Sequence, residues 1–267
     1  MRPSALSLPR VALAAFLAIA SSAPARAQQP LADPPSSKQF MGRFDFEMIA
    51  NALAADDRRF SWDTHWVGSF DLVDYVRGRL TFLADYQAML GSELQPFDPN
   101  QSKYTLEVSS SVRAGLTEVA GVLLHVSRHR GDRPKDFGIA INVLAGRIMR
   151  QFDLGRGTLA LRVDAGKVIE HSYADYTWMA ATEAIVRRPV TPNVGVFARG
   201  YGQAFAVDSA IAGRDRQQGG RVEGGVRFSG SRGAIELFGG YERVIDADQL
   251  DRQAREWAFG GFRLASN

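Results

Sequence analysis

The sequence predicts an all-β fold: an up-and-down antiparallel transmembrane β-barrel of about twelve strands behind a cleaved signal peptide. Three observations lead there. Apolar residues recur with a period of two along almost the whole chain after Phe40, the breaks between those stretches alternate between short and long, and the N-terminus reads as an export leader. The composition agrees. Of 267 residues, 45% are hydrophobic and 23% charged, which excludes a disordered tail or a collagen-like chain. The longest apolar run, Val11 to Ala20, falls short of the ~20 residues a spanning helix needs. Cysteine is absent, so a disulfide framework, a thiol nucleophile and a lipid-anchoring cysteine are all excluded.

The leader comes first. Arg2 and Arg10 supply a basic start, Val11–Ala20 an apolar core, and Ala25-Arg26-Ala27 an A-x-A cleavage site. Residues 1–27 are therefore expected to be removed. They carry three arginines and no acid, so their loss takes the formal charge from +3 to zero, which argues against nucleic acid as a partner. Residues 28–39, with Pro30, Pro34 and Pro35, form an extended lead-in, and residues 40–267 form the barrel.

The strands follow in order. Phe44, Phe46 and Met48 alternate with Arg43, Asp45 and Glu47; Phe60, Trp62, Thr64 and Trp66 with Ser61, Asp63 and His65; Leu80, Phe82, Ala84 and Tyr86 with Arg79, Thr81, Leu83 and Asp85. Leu106, Val108 and Val112 come next, then Val122, Leu124 and Val126, then Ile139, Ile141 and Val143, then Leu159, Leu161 and Val163. Tyr176, Trp178, Ala180, Ala184 and Val186 oppose Glu183 and Arg187; Val222, Val226 and Phe228 oppose Arg221, Glu223 and Arg227; Ile235, Leu237 and Tyr241 oppose Glu236 and Glu242. Val194–Phe205 and Glu256–Leu264 complete the set.

Period two does not separate inside from outside. A soluble sandwich or lipocalin-like barrel turns its apolar face inward, whereas an outer-membrane barrel turns it to lipid and its charges to the lumen. Connection length favours the second. Asp74-Tyr75, Ala114–Leu116, Leu154–Arg156, Pro189–Pro192 and Ser229–Gly233 are short, while Leu53–Arg59, Gly91–Lys103, His129–Asp136, Ile169–Asp175, Asp208–Gln218 and Asp246–Arg255 are long and polar. Short turns at one end and long loops at the other are the outer-membrane habit, and an even strand count puts both termini at the short-turn end. The expected partners are outer-membrane lipid, lipopolysaccharide and the barrel-assembly machinery. One departure concerns the last of these: the final strand has its aromatic alternation, but the chain ends Ala265-Ser266-Asn267 instead of on an aromatic residue.

The 26 glycines cluster in the late strands and open no helix, so they fit close packing in a curved wall better than a phosphate loop. Trp62, Trp66, Tyr75, Tyr86, Tyr176 and Trp178 are candidates for interfacial girdles. No cofactor is called for, and His65 and His171 have no metal-ligand spacing.

One stretch carries chemistry: His-Val-Ser-Arg-His-Arg-Gly-Asp at residues 125–132. On a strand, His125, Ser127 and His129 share a face. A turn centred on Arg133-Pro134 would set His125 opposite Asn142 and Ser127 opposite Ala140. A hydroxyl, an imidazole and an amide able to orient the ring form the minimum set for a nucleophile and its base, so the candidate catalytic residues are Ser127, His125 and Asn142. His129 and Asp132 are candidates for ligand binding, and Asp132 and Asp136 could supply oxygen ligands. The alternation places Val122, Leu124 and Val126 on the apolar face, so His125 and Ser127 are expected on the lumenal one, where such a row serves as a hydrogen-bonded lining.

The H-x-S pair with a polar residue on the neighbouring strand resembles two outer-membrane lipid hydrolases, outer membrane phospholipase A and the lipid A 3-O-deacylase. That resemblance implies His125 as base, Ser127 as nucleophile and Asn142 as orienting group. Both families continue after the serine with Asn, where this chain has Arg128. His125, Ser127, His129, Gly131 and Asp132 more closely resemble the H-x-S-x-H-x-G-D signature of an uncharacterised family of bacterial envelope proteins, a domain of unknown function. Phe70–Tyr75 also resembles that family, over a span from Phe60 to Arg147. Membership would imply an outer-membrane barrel and supplies no activity. Three functions stay open: a structural barrel or narrow pore, a lipid esterase, and a soluble exported barrel that binds a small apolar ligand. The lumenal Arg and Glu pairs argue against the third.

Overall fold

The computed structural model describes residues 28–30, 35–131, 138–248 and 251–266. The expected signal peptide lies outside them, as do Asp132 and Asp136. Twelve antiparallel strands close into one barrel, each bonded to its sequence neighbours and β1 to β12. They are β1 (Gln39–Ala54), β2 (Trp62–Asp74), β3 (Arg79–Gly91), β4 (Asp98–Ala114), β5 (Thr117–Arg130), β6 (Ile139–Asp153), β7 (Thr158–Ser172), β8 (Tyr176–Pro189), β9 (Val194–Val207), β10 (Gln217–Ser229), β11 (Gly233–Val244) and β12 (Arg255–Ser266). With 12 to 17 residues apiece, all exceed the ~9–11 that cross a bilayer at a tilt. Short turns and longer loops alternate as the sequence predicts except between β7 and β8, where residues 169–172, expected in a long loop, extend β7 and leave three connecting residues. Gly115 and Gly155, both left-handed, let two of the short turns close tightly. Two further differences are local. Asp98–Lys103, expected in a loop, extend β4, and the β9–β10 loop holds a one-turn helix, α1 (Ser209–Ala212).

The polarity is inside-out. Exposed apolar side chains cover the exterior, among them Leu106, Val163, Trp178, Val222, Leu237 and Leu264. Many of the residues between them are charged and buried, among them Glu107, Arg162, Asp164, Arg221, Glu223, Glu236 and Arg263. Arg147 pairs with Glu107 and Asp164, each at 2.6 Å. Arg162 joins Asp164 (3.1 Å) to Glu183 (2.9 Å), Arg199 joins Glu183 to Glu223 (3.5 Å each), and Arg263 joins Glu223 (2.6 Å) to Glu236. One chain of ion pairs thus runs round the inner wall from β4 to β12. Such pairing is what makes a charged interior tolerable, because an isolated buried ion costs several kcal/mol.

The rest of the wall is joined at the short-turn end. Arg79 pairs with Asp71 (3.2 Å) and Glu118 (2.9 Å). Gln28 and Gln29, from the start of the lead-in, reach into the lumen here. Gln28 donates to Glu118 (3.2 Å) and accepts from Ser109 (2.9 Å); Gln29 donates to Glu183 (2.7 Å), and its carbonyl accepts from Arg79. Two adjacent residues therefore bridge opposite sides of the barrel.

Inward-facing glycines make room for buried aromatics. A Cβ on Gly240 would lie 2.6 Å from the Phe259 ring and 2.1 Å from the Val222 carbonyl. Phe238 and Phe259 meet edge to face at 6.3 Å, and the Arg221 guanidinium lies 3.8 Å from the Phe259 centroid.

Candidate functional site

The register sets His125 opposite Asn142 and Ser127 opposite Ala140, as symmetric pairing predicts. His125 Nδ1 donates to Asn142 Oδ1 at 2.7 Å, and Asn142 Nδ2 donates to Glu170 at 2.7 Å. The amide fixes the tautomer, leaving Nε2 as the nitrogen able to accept a proton. Sequence reasoning missed Glu170. A bulge between Asn142 and Val143 places it opposite Asn142, with Ile169 and Glu170 both exposed, and a bulge leaves no period to read.

The face differs from the one expected. Val122, Leu124 and Val126 line the lumen, which puts His125, Ser127 and His129 on the exterior. They are therefore not a lumenal lining. The reason is that β5 is apolar on both faces: Val119 and Leu123 are exposed outside, Val122 is buried inside. Parity alone could not rank the two. Among the described residues no hydrogen bond joins Ser127 to His125. His129 meets Tyr104 edge to face at 5.4 Å, at the end of an exterior aromatic row running Trp66–Tyr86–Tyr104 with centroids 5.7 and 4.9 Å apart. This is a girdle of the expected kind, nearer the long-loop end. Tyr176 does not belong to one. A bulge before Trp178 turns it inward, where it stacks on Phe205 at 4.3 Å and donates to Asp246.

A second candidate site lies inside. The long-loop half of the lumen holds a cavity of about 180 Å³. One wall is apolar, built from Val122, Leu124, Val126, Ile141, Met179 and Phe205. The other carries Asp63, Gln87, Gln101, Lys103 and Arg128. The apolar wall stands beside the lumenal charges that the sequence predicts. His65, isolated in the sequence, sits between Asp85 (3.1 Å) and Asp63 (3.2 Å).

Above the cavity the loops are tied together. Arg214 bridges Asp175 (2.5 Å) and Asp246 (2.7 Å), and Arg252 adds a contact to Asp175 at 3.4 Å. Burial pushes the Asp175 carboxyl up, but the Arg214 hydrogen bond and the nearby guanidinium charges outweigh it and hold it below its ordinary value. A depressed carboxylate adds stability above the unfolded pKa and loses it as pH falls through the folded one. The rim is therefore expected to hold at neutral pH and to loosen below about pH 4. Amide exchange in residues 208–216 should quicken on that acidification, and Arg214→Ala should produce the same quickening at pH 6.

No protein-family model matches the chain, and no curated protein matches it. Among solved structures, OmpT of Vibrio cholerae is similar at 10% identity and a TM-score of 0.45, over 84% of this chain and 96% of that one. The outer membrane protein Omp33 of Acinetobacter baumannii is similar at 8% identity and a TM-score of 0.42, over 84% and 97%. The chain is a closed twelve-stranded antiparallel β-barrel with an apolar exterior and a charged interior, the build of an outer-membrane barrel.

Proposed function

We propose that the protein is an integral outer-membrane barrel with a sealed lumen, a structural element of the envelope and not an open pore. The chain of ion pairs round the inner wall, bridged by Gln28 and Gln29, supports this reading. Charges paired with one another, and Gln28 and Gln29 crossing between them, narrow the path open to water and ions. The purified protein should need detergent for extraction, migrate differently on gels before and after heating, and leave a planar bilayer silent. Stepwise conductance would refute the sealed lumen; recovery in the soluble periplasmic fraction would refute the membrane location.

A second reading, a lipid ester hydrolase, is favoured by the outward orientation of His125 and Ser127. Ester bonds of outer-leaflet lipids approach the barrel from outside, and the row stands toward the long-loop end. In such a reaction Ser127 Oγ attacks the ester carbonyl while Nε2 of His125 takes its proton. The alcohol then leaves with that proton, and water releases the acyl group. Asn142, held by Glu170, orients the ring. On this reading Ser127→Ala and His125→Ala abolish release of fatty acid from phospholipid or lipid A, and Asn142→Ala costs less. A serine-directed lipase probe that labels the folded wild type and not Ser127→Ala decides for the hydrolase. If wild-type turnover stays at background, the row is structural, and Asn142→Ala lowers stability by about 1–3 kcal/mol.

A further inference from the structure

We propose that the long-loop half of the lumen binds a single-chain amphipathic anion, a medium-chain carboxylate whose head group pairs with Lys103 and whose chain lies along Val122, Leu124 and Val126. The inference rests on the cavity alone and is independent of any chemistry on the exterior row.

Lys103 is the first reason. Every arginine in the ion-pair chain round the wall has a carboxylate within 4.0 Å, but Lys103, which also faces the lumen, has no ion pair or hydrogen bond among the described residues. The carboxylates nearest in the field are committed elsewhere. Asp85 holds His65, Asp63 holds His65 and Gln87, and Glu242 holds Arg221 and Trp257. The residue directly across from Lys103 on β5 is Arg128, another cation. Arg128 itself donates to the Ala247 carbonyl at 3.2 Å, so it leaves Lys103 without an acceptor on that side.

The second reason is the facing wall. Val122 to Val126 spans about 13 Å at ~3.3 Å per residue, and Ile141 and Phe205 widen the strip. An apolar strip beside a cation suits a molecule with both characters, since water satisfies only one and a hydrocarbon only the other. The third reason is shape. The Arg147–Glu107–Asp164 cluster lines the cavity on its short-turn side, so the ligand enters from the long-loop end. The space suits one chain, and the uncommitted ammonium group of Lys103 suits a monoanion.

The test uses the folded protein in phosphatidylcholine nanodiscs, with carbon-13 carboxyl-labelled decanoate as probe and empty nanodiscs as the bilayer control. A saturable carboxyl resonance distinct from the bilayer pool is expected. Lys103→Met should weaken it about tenfold or more, as loss of a charge-assisted hydrogen bond does, while Lys103→Arg should retain it. Val126→Asp should also abolish it by charging the tail strip. Decanol, with the same chain and no charge, should compete at least about tenfold less well, and decyl phosphate no better than decanoate. Heat-modifiable migration verifies the fold of each variant. If Lys103→Met fails to fold, the decanol comparison on the wild type still decides. Absence of a saturable site, equal competition by decanol, tighter binding of decyl phosphate, or unchanged binding by folded Lys103→Met would each overturn the proposal.

Discussion

Arg147→Met is expected to destabilise the barrel by about 3–5 kcal/mol, a large part of the stability of a typical domain. The guanidinium is buried and doubly engaged. Its two terminal nitrogens take both oxygens of Glu107 at 2.6 and 2.7 Å, and Nε takes Asp164 at 2.6 Å. Methionine fills much of the volume but leaves two carboxylates facing each other, with Arg162 to neutralise only one of them. The cost arises from those stranded acids more than from the loss of the pair itself. Pairing Arg147→Met with Glu107→Met should therefore recover part of the loss. Equilibrium refolding from urea into lipid vesicles measures both variants. A loss below about 1 kcal/mol would mean that water reaches Glu107 and solvates it, and the sealed lumen would be wrong.

Leu237→Arg is the second large effect, expected at about 2–4 kcal/mol near the bilayer midplane. Leu237 is an exposed exterior residue between Val226 on β10 and Phe262 on β12, with no cation or acid in that row. In hydrocarbon the guanidinium has no partner there and must reach toward the head groups. On a barrel surrounded by water the same substitution would cost within about 0.5 kcal/mol. The measurement, yield and stability of the folded form in vesicles, therefore separates the two environments as well as testing the residue.

The strands were legible because their period is local: Phe44, Phe46 and Met48, or Val222 and Val226 against Arg221 and Glu223, need no knowledge of the rest of the chain. Register at the β5–β6 pair was legible for the same reason, since one turn sets His125 against Asn142. What the sequence left open depends on closure. The Val122–Val126 strip and the His125–Ser127 row alternate equally well on either face, and only the ring of neighbours decides which points to lipid. Glu170 and Tyr176 were hidden by bulges, which reverse parity without marking the sequence. Lys103 was hidden because Asp98–Lys103 has the polarity of a loop, yet pairs with β3 and β5 as strand.

The ion-pair chain also constrains how this sequence can drift. On the exterior, Leu237 can become Val or Phe without consulting any other position, because lipid accepts each of them. Within the chain no position is independent: a change at Glu107 must be answered at Arg147, and a change at Glu183 at Arg162 or Arg199. Homologues are therefore expected to show free variation outside and compensated exchanges inside, with acid and base trading places across neighbouring strands. Covariation between positions 107 and 147, and between 223 and 263, would be the evolutionary signature of this interior.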